Sequence, residues 1–139
     1  PGRLEWIGSD PKVLLDGAHN GAGAEALADY LEAADLRVHW LVGMKIDKAM
    51  SEILQPLLRF AIKVYCVEPP IEEPLPATDL VRAVSDAGLP VVECADIEEG
   101  LREARSACSD GDIVLVAGSL FLVAAAREFL KREKLAVVL

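Results

Sequence analysis

The stretch VLLDGAHNGAGAEALADYL, residues Val13 to Leu31, contains a change of pattern that the rest of the chain repeats. It begins with an apolar run and passes through a turn in which two glycines bracket a histidine and an asparagine. Apolar residues recur at helical spacing from Ala24 onward, which predicts a short buried strand followed by an amphipathic helix. Asp16 stands at the predicted strand end, and Asn20 is a residue type that commonly caps helices.

The rest of the chain repeats this order of strand and helix. Residues 3–8 alternate as a strand, and the turn SDPK joins it antiparallel to the next strand. We predict further strands at 38–42, 63–67, 90–94 and 113–117, and helices at 21–34, 47–60, 78–87, 97–108 and 119–134. Pro56 is expected to divide the second helix into two short ones.

Strands that alternate with helices predict a particular architecture. We expect an α/β fold with a Rossmann-like, mostly parallel six-stranded sheet and helices on both faces. One antiparallel strand, from the N-terminal hairpin, completes this sheet. Because the 139 residues fit one core, we predict a single domain over 1–139.

Composition excludes several classes of protein. The chain is 53% hydrophobic and 27% charged, without an apolar run long enough for a membrane span, so we expect no membrane partner. A net charge of −9 argues against a nucleic-acid partner. Three widely spaced cysteines and two histidines predict reduced thiols, a cytoplasmic location and no metal site. The N-terminus has no initiator methionine and no signal-peptide pattern, so we expect part of a longer protein.

The turns that follow the strands are the candidate sites, because parallel sheets bind ligands at the carboxyl ends of their strands. In the first turn, Asp16 and Asn20 are residue types that ordinary turns and caps also use. His19 lies in a glycine-bracketed turn before a helix N-terminus, a position that favours anionic ligands. The spacing of the glycines fits neither a dinucleotide fingerprint nor a P-loop.

Two later turns carry further candidates. In LVGMKIDKAM, Lys45 and Lys48 flank Asp47, either as a solvated loop with Asp47 as the helix cap or as a small cationic patch. In VAGSLFLV, Ser119 follows a buried strand, either as a helix cap or as part of an anion site with the free N–H groups around it.

Three segments together resemble a known family. LLDGAHN at Leu14–Asn20, preceded by PGRLE, is followed in order by GMKIDK and by VLVAGSLFLVAAAREFL at Val114–Leu130. Nearly the whole chain resembles the C-terminal domain of folylpolyglutamate synthase/dihydrofolate synthase, in the Mur ligase superfamily. The chain departs from the family pattern at Gly21, usually proline, at Ala49, often acidic, and at Phe121, usually tyrosine.

The resemblance implies an ATP-dependent ligase that joins L-glutamate to a folate or dihydropteroate carboxylate through an acyl phosphate. It implies ATP and Mg²⁺ as cofactors, both bound mainly by an N-terminal domain that this chain does not contain and that is its partner. The implied ATP-binding residues are Arg3 and Asp16. Residues implied to position glutamate or the acyl phosphate are His19, Ser119, Asn20 and Lys48. By this resemblance the chain alone is inactive.

Two other functions stay open at this stage. Another Mur-type amino-acid ligase, which acts on a peptidoglycan precursor, would share the fold and the ATP chemistry. A stand-alone nucleotide- or anion-binding module would need no partner domain and would bind its ligand in isolation. The sequence does not distinguish dihydrofolate synthesis from extension of polyglutamate tails.

Overall fold

A six-stranded sheet with helices on both faces organises the part of the chain that the computed structural model describes, residues 3–8, 11–46 and 50–138. The strands are β1 Glu5–Ile7, β2 Val13–Asp16, β3 Val38–Val42, β4 Ala61–Cys66, β5 Val91–Glu93 and β6 Ile113–Ala117. The helices are α1 Gly21–Ala33, α2 Met50–Leu58, α3 Ala77–Asp86, α4 Ile97–Ala107 and α5 Leu120–Val138. None of these helices is both long and apolar enough for a membrane span within the described residues.

The strand order is β1-β2-β6-β3-β4-β5, and only β1 pairs antiparallel, with β2. This arrangement confirms the predicted α/β fold with one antiparallel strand from the N-terminal hairpin. The last strand, β6, inserts between β2 and β3 and pairs Asp16 with Ala117 in register. The ends of β2, β6 and β3 are therefore neighbours at one edge of the sheet.

Two apolar layers cover the sheet. Buried residues of α1, α2 and α3 pack on one face, and those of α4 and α5 pack on the other. Strands β3 and β6 are buried at every position because they lie in the middle of the sheet and have a helix layer on each side. This explains why β6 is wholly apolar.

The prediction that Pro56 divides a helix is wrong. Met50–Leu58 forms one continuous helix with Pro56 inside it. A proline at this position removes one hydrogen bond, to the Glu52 carbonyl, while Ile53, Leu54 and Leu57 stay buried on one face. The predicted start of this helix at Asp47 lies outside the described residues.

Candidate functional site

Three turns meet at the carboxyl edge of the sheet. They follow the adjacent strands β2, β6 and β3, and the Gly118 N–H donates a hydrogen bond of 3.0 Å to the Ala18 carbonyl. The chain after β2 enters α1 on one face, whereas the chain after β6 enters α5 on the other. Neighbouring strands whose connections leave in opposite directions open a crevice between them, the usual ligand position in such sheets.

The carboxylate of Asp16 is buried, with 3% of the residue exposed, and organises the first turn. Its Oδ1 accepts a hydrogen bond of 3.0 Å from the Leu4 N–H, and its Oδ2 accepts one of 3.2 Å from the Ala18 N–H. The Arg3 Nε lies 3.7 Å from Oδ1. Asp16 therefore joins the start of the hairpin to the turn after β2, and little of it remains accessible to a ligand.

Arg3 differs from Asp16 in its accessibility. Its side chain is 75% exposed while its Nε atom stays near the buried carboxylate. A guanidinium has five N–H donors in a planar fork, and this fork matches phosphate and carboxylate oxygens. The arrangement leaves most of the Arg3 donors available to an anion at the carboxyl edge.

His19 and Asn20 continue the first turn. The His19 Nδ1 lies 2.9 Å from the Gly17 carbonyl, which can only accept, so Nδ1 carries the hydrogen. In the neutral ring Nε2 is then an acceptor, and the residue is exposed. The Asn20 Oδ1 accepts a hydrogen bond of 2.8 Å from the Gly23 N–H, which makes Asn20 the N-cap of α1.

The turn after β6 approaches the turn after β3 closely. Gly118 has a φ of +133°, and a Cβ there would lie 2.9 Å from the Gly43 carbonyl oxygen, so only glycine fits. The Ser119 Oγ accepts hydrogen bonds from the N–H groups of Phe121 at 3.1 Å and Leu122 at 3.4 Å. Ser119 is therefore buried as the cap of α5 at the edge of the crevice.

A small cavity connects the three turns. Its volume is about 160 Å³, and His19, Lys45 and Ser119 supply its polar side chains, one from each turn. The structure thus brings two of the predicted positioning residues, His19 and Ser119, to one cavity. Asn20 caps α1 beside it, and Lys48 lies outside the described residues. From the sequence, Lys45 belonged either to a solvated loop or to a small cationic patch, because its place in the cavity depends on the fold.

Exposed apolar side chains surround this edge. The described residues contain five large exposed hydrophobic side chains, and four of these, Leu4, Ile46, Leu120 and Phe121, belong to the segments at the carboxyl edge. Phe121 is 65% exposed and Leu120 is 55% exposed. Contiguous exposed apolar surface commonly marks a site of contact with another protein surface.

The three cysteine thiols and the placement of possible metal ligands limit the chemistry that the described residues can perform. Burial raises the pKa of Cys66 to about 12. Burial and a hydrogen bond to Glu103 raise the pKa of Cys94 to about 12, and burial raises that of Cys108 to about 11. These thiols stay protonated near neutral pH and are not activated nucleophiles. Among the described residues, no group of three or more His, Cys, Asp or Glu side chains is placed to hold a metal ion.

Comparison with known proteins points to one family. Residues 2–120 match the family model of the Mur ligase, glutamate ligase domain. A probable bifunctional folylpolyglutamate synthase/dihydropteroate synthase of Halobacterium salinarum is 37% identical over 91% of this chain and 16% of the relative. E. coli FolC in complex with DHPP and ADP has a TM-score of 0.85 at 25% identity, over 96% of this chain and 32% of the other.

In a further similar structure, L-glutamate is bound together with a nucleotide. A bifunctional folylpolyglutamate synthase/dihydrofolate synthase with Mn, AMPPNP and L-glutamate bound has a TM-score of 0.82 at 26% identity. The match covers 94% of this chain and 32% of the other chain. The chain therefore spans only a third or less of the length of the proteins that it matches.

Proposed function

The chain belongs to the Mur ligase family as a glutamate ligase domain, and from this premise we propose that it is the C-terminal domain of an ATP-dependent ligase. The ligase adds L-glutamate to the carboxylate of a folate or dihydropteroate through an acyl phosphate. The observation that carries this proposal is the shared cavity, where His19, Lys45 and Ser119 meet from three separate turns. The names of the matched relatives, which are folate ligases, favour this substrate class.

We propose that residues 1–139 form one domain and that ATP binds mainly to a larger N-terminal domain. The exposed guanidinium of Arg3 fits a phosphate group that reaches the carboxyl edge. Asp16 is buried with both oxygens occupied, which supports an indirect role in which it holds Arg3 and the turn in place. We propose that Mg²⁺ binds together with ATP, mainly on the N-terminal domain, as the resemblance to the family implies.

We propose that the remaining site residues position the amino acid and the acyl phosphate. The His19 Nε2 acceptor suits the ammonium or amine of glutamate, while the Ser119 hydroxyl at the start of α5 suits a carboxylate or phosphate oxygen. Asn20 caps α1 directly after His19. Lys48 supplies a second cation in addition to Arg3. Holding the amine near the acyl carbon is the main contribution that such residues make.

The N-terminal domain of the same polypeptide is the proposed partner at the carboxyl edge. Leu4, Ile46, Leu120 and Phe121 present apolar surface at the carboxyl edge, and Leu120 and Phe121 also line the cavity, which suits closure against a second domain. Closure would exclude water, which hydrolyses acyl phosphates.

We also propose a cytoplasmic location, because all three cysteines are free thiols.

A ligation assay on the full-length polypeptide tests this function. The assay supplies ATP, L-glutamate and either folate or dihydropteroate, and mass spectrometry detects an added glutamyl residue. Ser119→Ala and His19→Ala are each expected to lower kcat/KM tenfold or more, on the order of one lost charge-assisted hydrogen bond. Ser85→Ala, at an exposed serine of α3, is the control and should leave kcat/KM unchanged. A product with a peptidoglycan precursor instead of either folate acceptor would contradict the substrate class.

A further inference from the structure

A larger cavity lies at the amino edge of the sheet, where β2 and β6 begin. Lys12 and Asp112, which directly precede these two strands, are on its wall, so it is at the opposite end of the strands from the cavity described above. Its volume is about 570 Å³, within the roughly 300–1,000 Å³ that is usual for small-molecule sites. We call it the amino-edge groove, and its lining residues include Trp6, Lys12, Tyr30, Ser109, Asp110 and Asp112.

We propose that the amino-edge groove binds a flat heteroaromatic ring that bears an amino group beside a ring N–H and carries an anionic substituent. Guanine nucleotides and pterin carboxylates both have this chemistry. The site is separate from the proposed ligation, because none of the residues assigned to ligation lines the groove.

Two aromatic side chains form one wall of the groove. Trp6 is 38% exposed and is the one large exposed hydrophobic side chain of the described residues that lies away from the carboxyl edge. Its indole N–H donates a hydrogen bond of 3.2 Å to the Tyr30 hydroxyl, which ties the ring on the edge strand β1 to α1. A held and exposed indole ring is a stacking surface for a flat ligand ring.

Asp112 supplies the hydrogen-bond acceptor for such a ring. The Ser109 N–H donates a hydrogen bond of 2.8 Å to its Oδ2, and the Asp112 N–H donates one of 2.9 Å to the Ser109 carbonyl, so the turn before β6 holds the carboxylate in place. A carboxylate has about four acceptor positions, and most of those on Asp112 remain for a ligand. Two adjacent N–H donors on one ring edge match its two oxygens.

A buried histidine stands behind this carboxylate with incomplete hydrogen bonding. The His39 side chain is 5% exposed, and its Nδ1 lies 2.9 Å from the Tyr65 hydroxyl. Its Nε2 has no hydrogen-bond partner among the described residues and faces the Asp112 Oδ2 at 3.4 Å. Because buried polar atoms are normally paired, an unpaired nitrogen directed at the groove wall points to Asp112 as the place where a ligand completes the site.

The charges around the groove define the rest of the ligand. The Lys12 Nζ lies 5.9 Å from the centre of the Trp6 ring, and Lys12 forms no ion pair with any described residue. A ring stacked on Trp6 would bring an anionic substituent within reach of this ammonium group. Asp110 is exposed and also lines the groove, and it disfavours a ligand that has anionic groups only.

Fluorine NMR of the full-length polypeptide, labelled with 5-fluorotryptophan, tests the site residue by residue. Trp6→Phe assigns the Trp6 signal, and the fully buried Trp40, whose indole N–H bonds to the Ala117 carbonyl, is the internal control. Guanosine 5′-monophosphate and pterin-6-carboxylate are titrated separately. At least one should shift the Trp6 signal saturably, with a Kd below about 1 mM, and leave the Trp40 signal unchanged. The probe with the lower Kd identifies the source of the ligand.

Matched probes and variants test the role of Asp112. Lumazine-6-carboxylate has a carbonyl in place of the amino group of the pterin probe, and xanthosine 5′-monophosphate has the same change relative to the guanine probe. Each should bind at least about tenfold more weakly than its partner, because an oxygen then faces the carboxylate. Asp112→Asn keeps an acceptor for the Ser109 N–H and should raise the Kd about tenfold or more. Asp86→Asn, at an exposed position of α3, is the control and should leave it unchanged.

Several results would overturn the proposal. These are a Trp6 signal that neither probe shifts, a shift of Trp40 alone, and equal affinity for the amino and carbonyl probes. A wild-type Kd in Asp112→Asn, with its Trp40 signal unchanged, would overturn it as well. None of these results bears on ligation, which the assay with ATP, L-glutamate and a folate acceptor measures separately.

Discussion

A single side chain, that of Asp16, acts through the backbone and side-chain groups that it contacts. It accepts hydrogen bonds from the Leu4 and Ala18 N–H groups and lies 3.7 Å from the Arg3 Nε. A buried carboxylate with such partners is expensive to remove, because its donors lose their acceptor inside the protein. Its contribution to stability and its proposed contribution to turnover are therefore separable by experiment.

We expect Asp16→Ala to lower the free energy of unfolding by about 1–3 kcal/mol, since the buried Ala18 N–H and the partly buried Leu4 N–H lose their acceptor. In the full-length ligase it should also lower kcat about a hundredfold, because Arg3 and the turn are misplaced. Asp29→Ala, at an exposed position of α1, is the control for both measurements. Lowered stability with near-normal turnover would show that Asp16 is a structural residue only.

The thiols give a second prediction at this scale. With the pKa of Cys66 and Cys94 raised to about 12, about one thiol in ten thousand is ionised at about pH 8. We expect alkylation of the native protein by iodoacetamide to be at least a hundredfold slower than that of the urea-unfolded chain. The native rate should rise with pH, because the thiolate is the reactive form. Equal rates before and after unfolding would contradict the burial of these side chains.

At the scale of elements, the close approach of two turns assembles the site. Gly118, after β6, lies against the Gly43 carbonyl, after β3, and a Cβ would also meet a Val42 methyl at 3.0 Å. Gly88 has a similar backbone requirement, with a φ of +83°, but no neighbour lies within 4 Å of its Cβ position. Substituting each glycine therefore distinguishes the cost of backbone strain, which both positions share, from the cost of steric contact, which only Gly118 has.

Gly88→Ala should destabilise the protein by about 1 kcal/mol, the cost of a positive φ in a residue with a Cβ. Gly118→Ala adds the steric contact, so its loss of stability should be at least about twice as large. Urea denaturation of both variants measures this difference. Equal losses of stability in the two variants would mean that the turns after β6 and β3 move apart without cost. That result would contradict the close approach of Gly118 to the Gly43 carbonyl.

The sequence predicts these elements well and their contacts less well. Hydrophobic periodicity identified the strands and helices, because burial on one or both faces dictates their pattern. It failed at Pro56, where packing of three apolar side chains outweighs one missing hydrogen bond. It also left Lys45 undecided, because the position of Lys45 depends on its bridge to the distant Pro74. The polar residues of the two flanking turns were predictable because they follow adjacent parallel strands.

In the molecule as a whole, the carboxyl edge combines a small cavity, into which three turns bring one polar side chain each, with exposed apolar side chains. The core is complete without a partner, since both faces of the sheet are covered by helices. The cavity, in contrast, lies at the carboxyl edge, where large apolar side chains are exposed. We therefore expect this domain to be stable alone and propose that catalysis requires its closure on a second domain.

Substrate-dependent ATP turnover tests whether catalysis requires a second domain. The full-length polypeptide and the isolated chain are compared with ATP, with and without L-glutamate and a folate or dihydropteroate acceptor. We predict that the full-length polypeptide forms a glutamyl product and consumes ATP in step with it, only when both substrates are present. The isolated chain should fold and show no turnover. Turnover by the isolated chain at the full-length rate, or ATP consumption by the full-length polypeptide that ignores glutamate, would contradict the account.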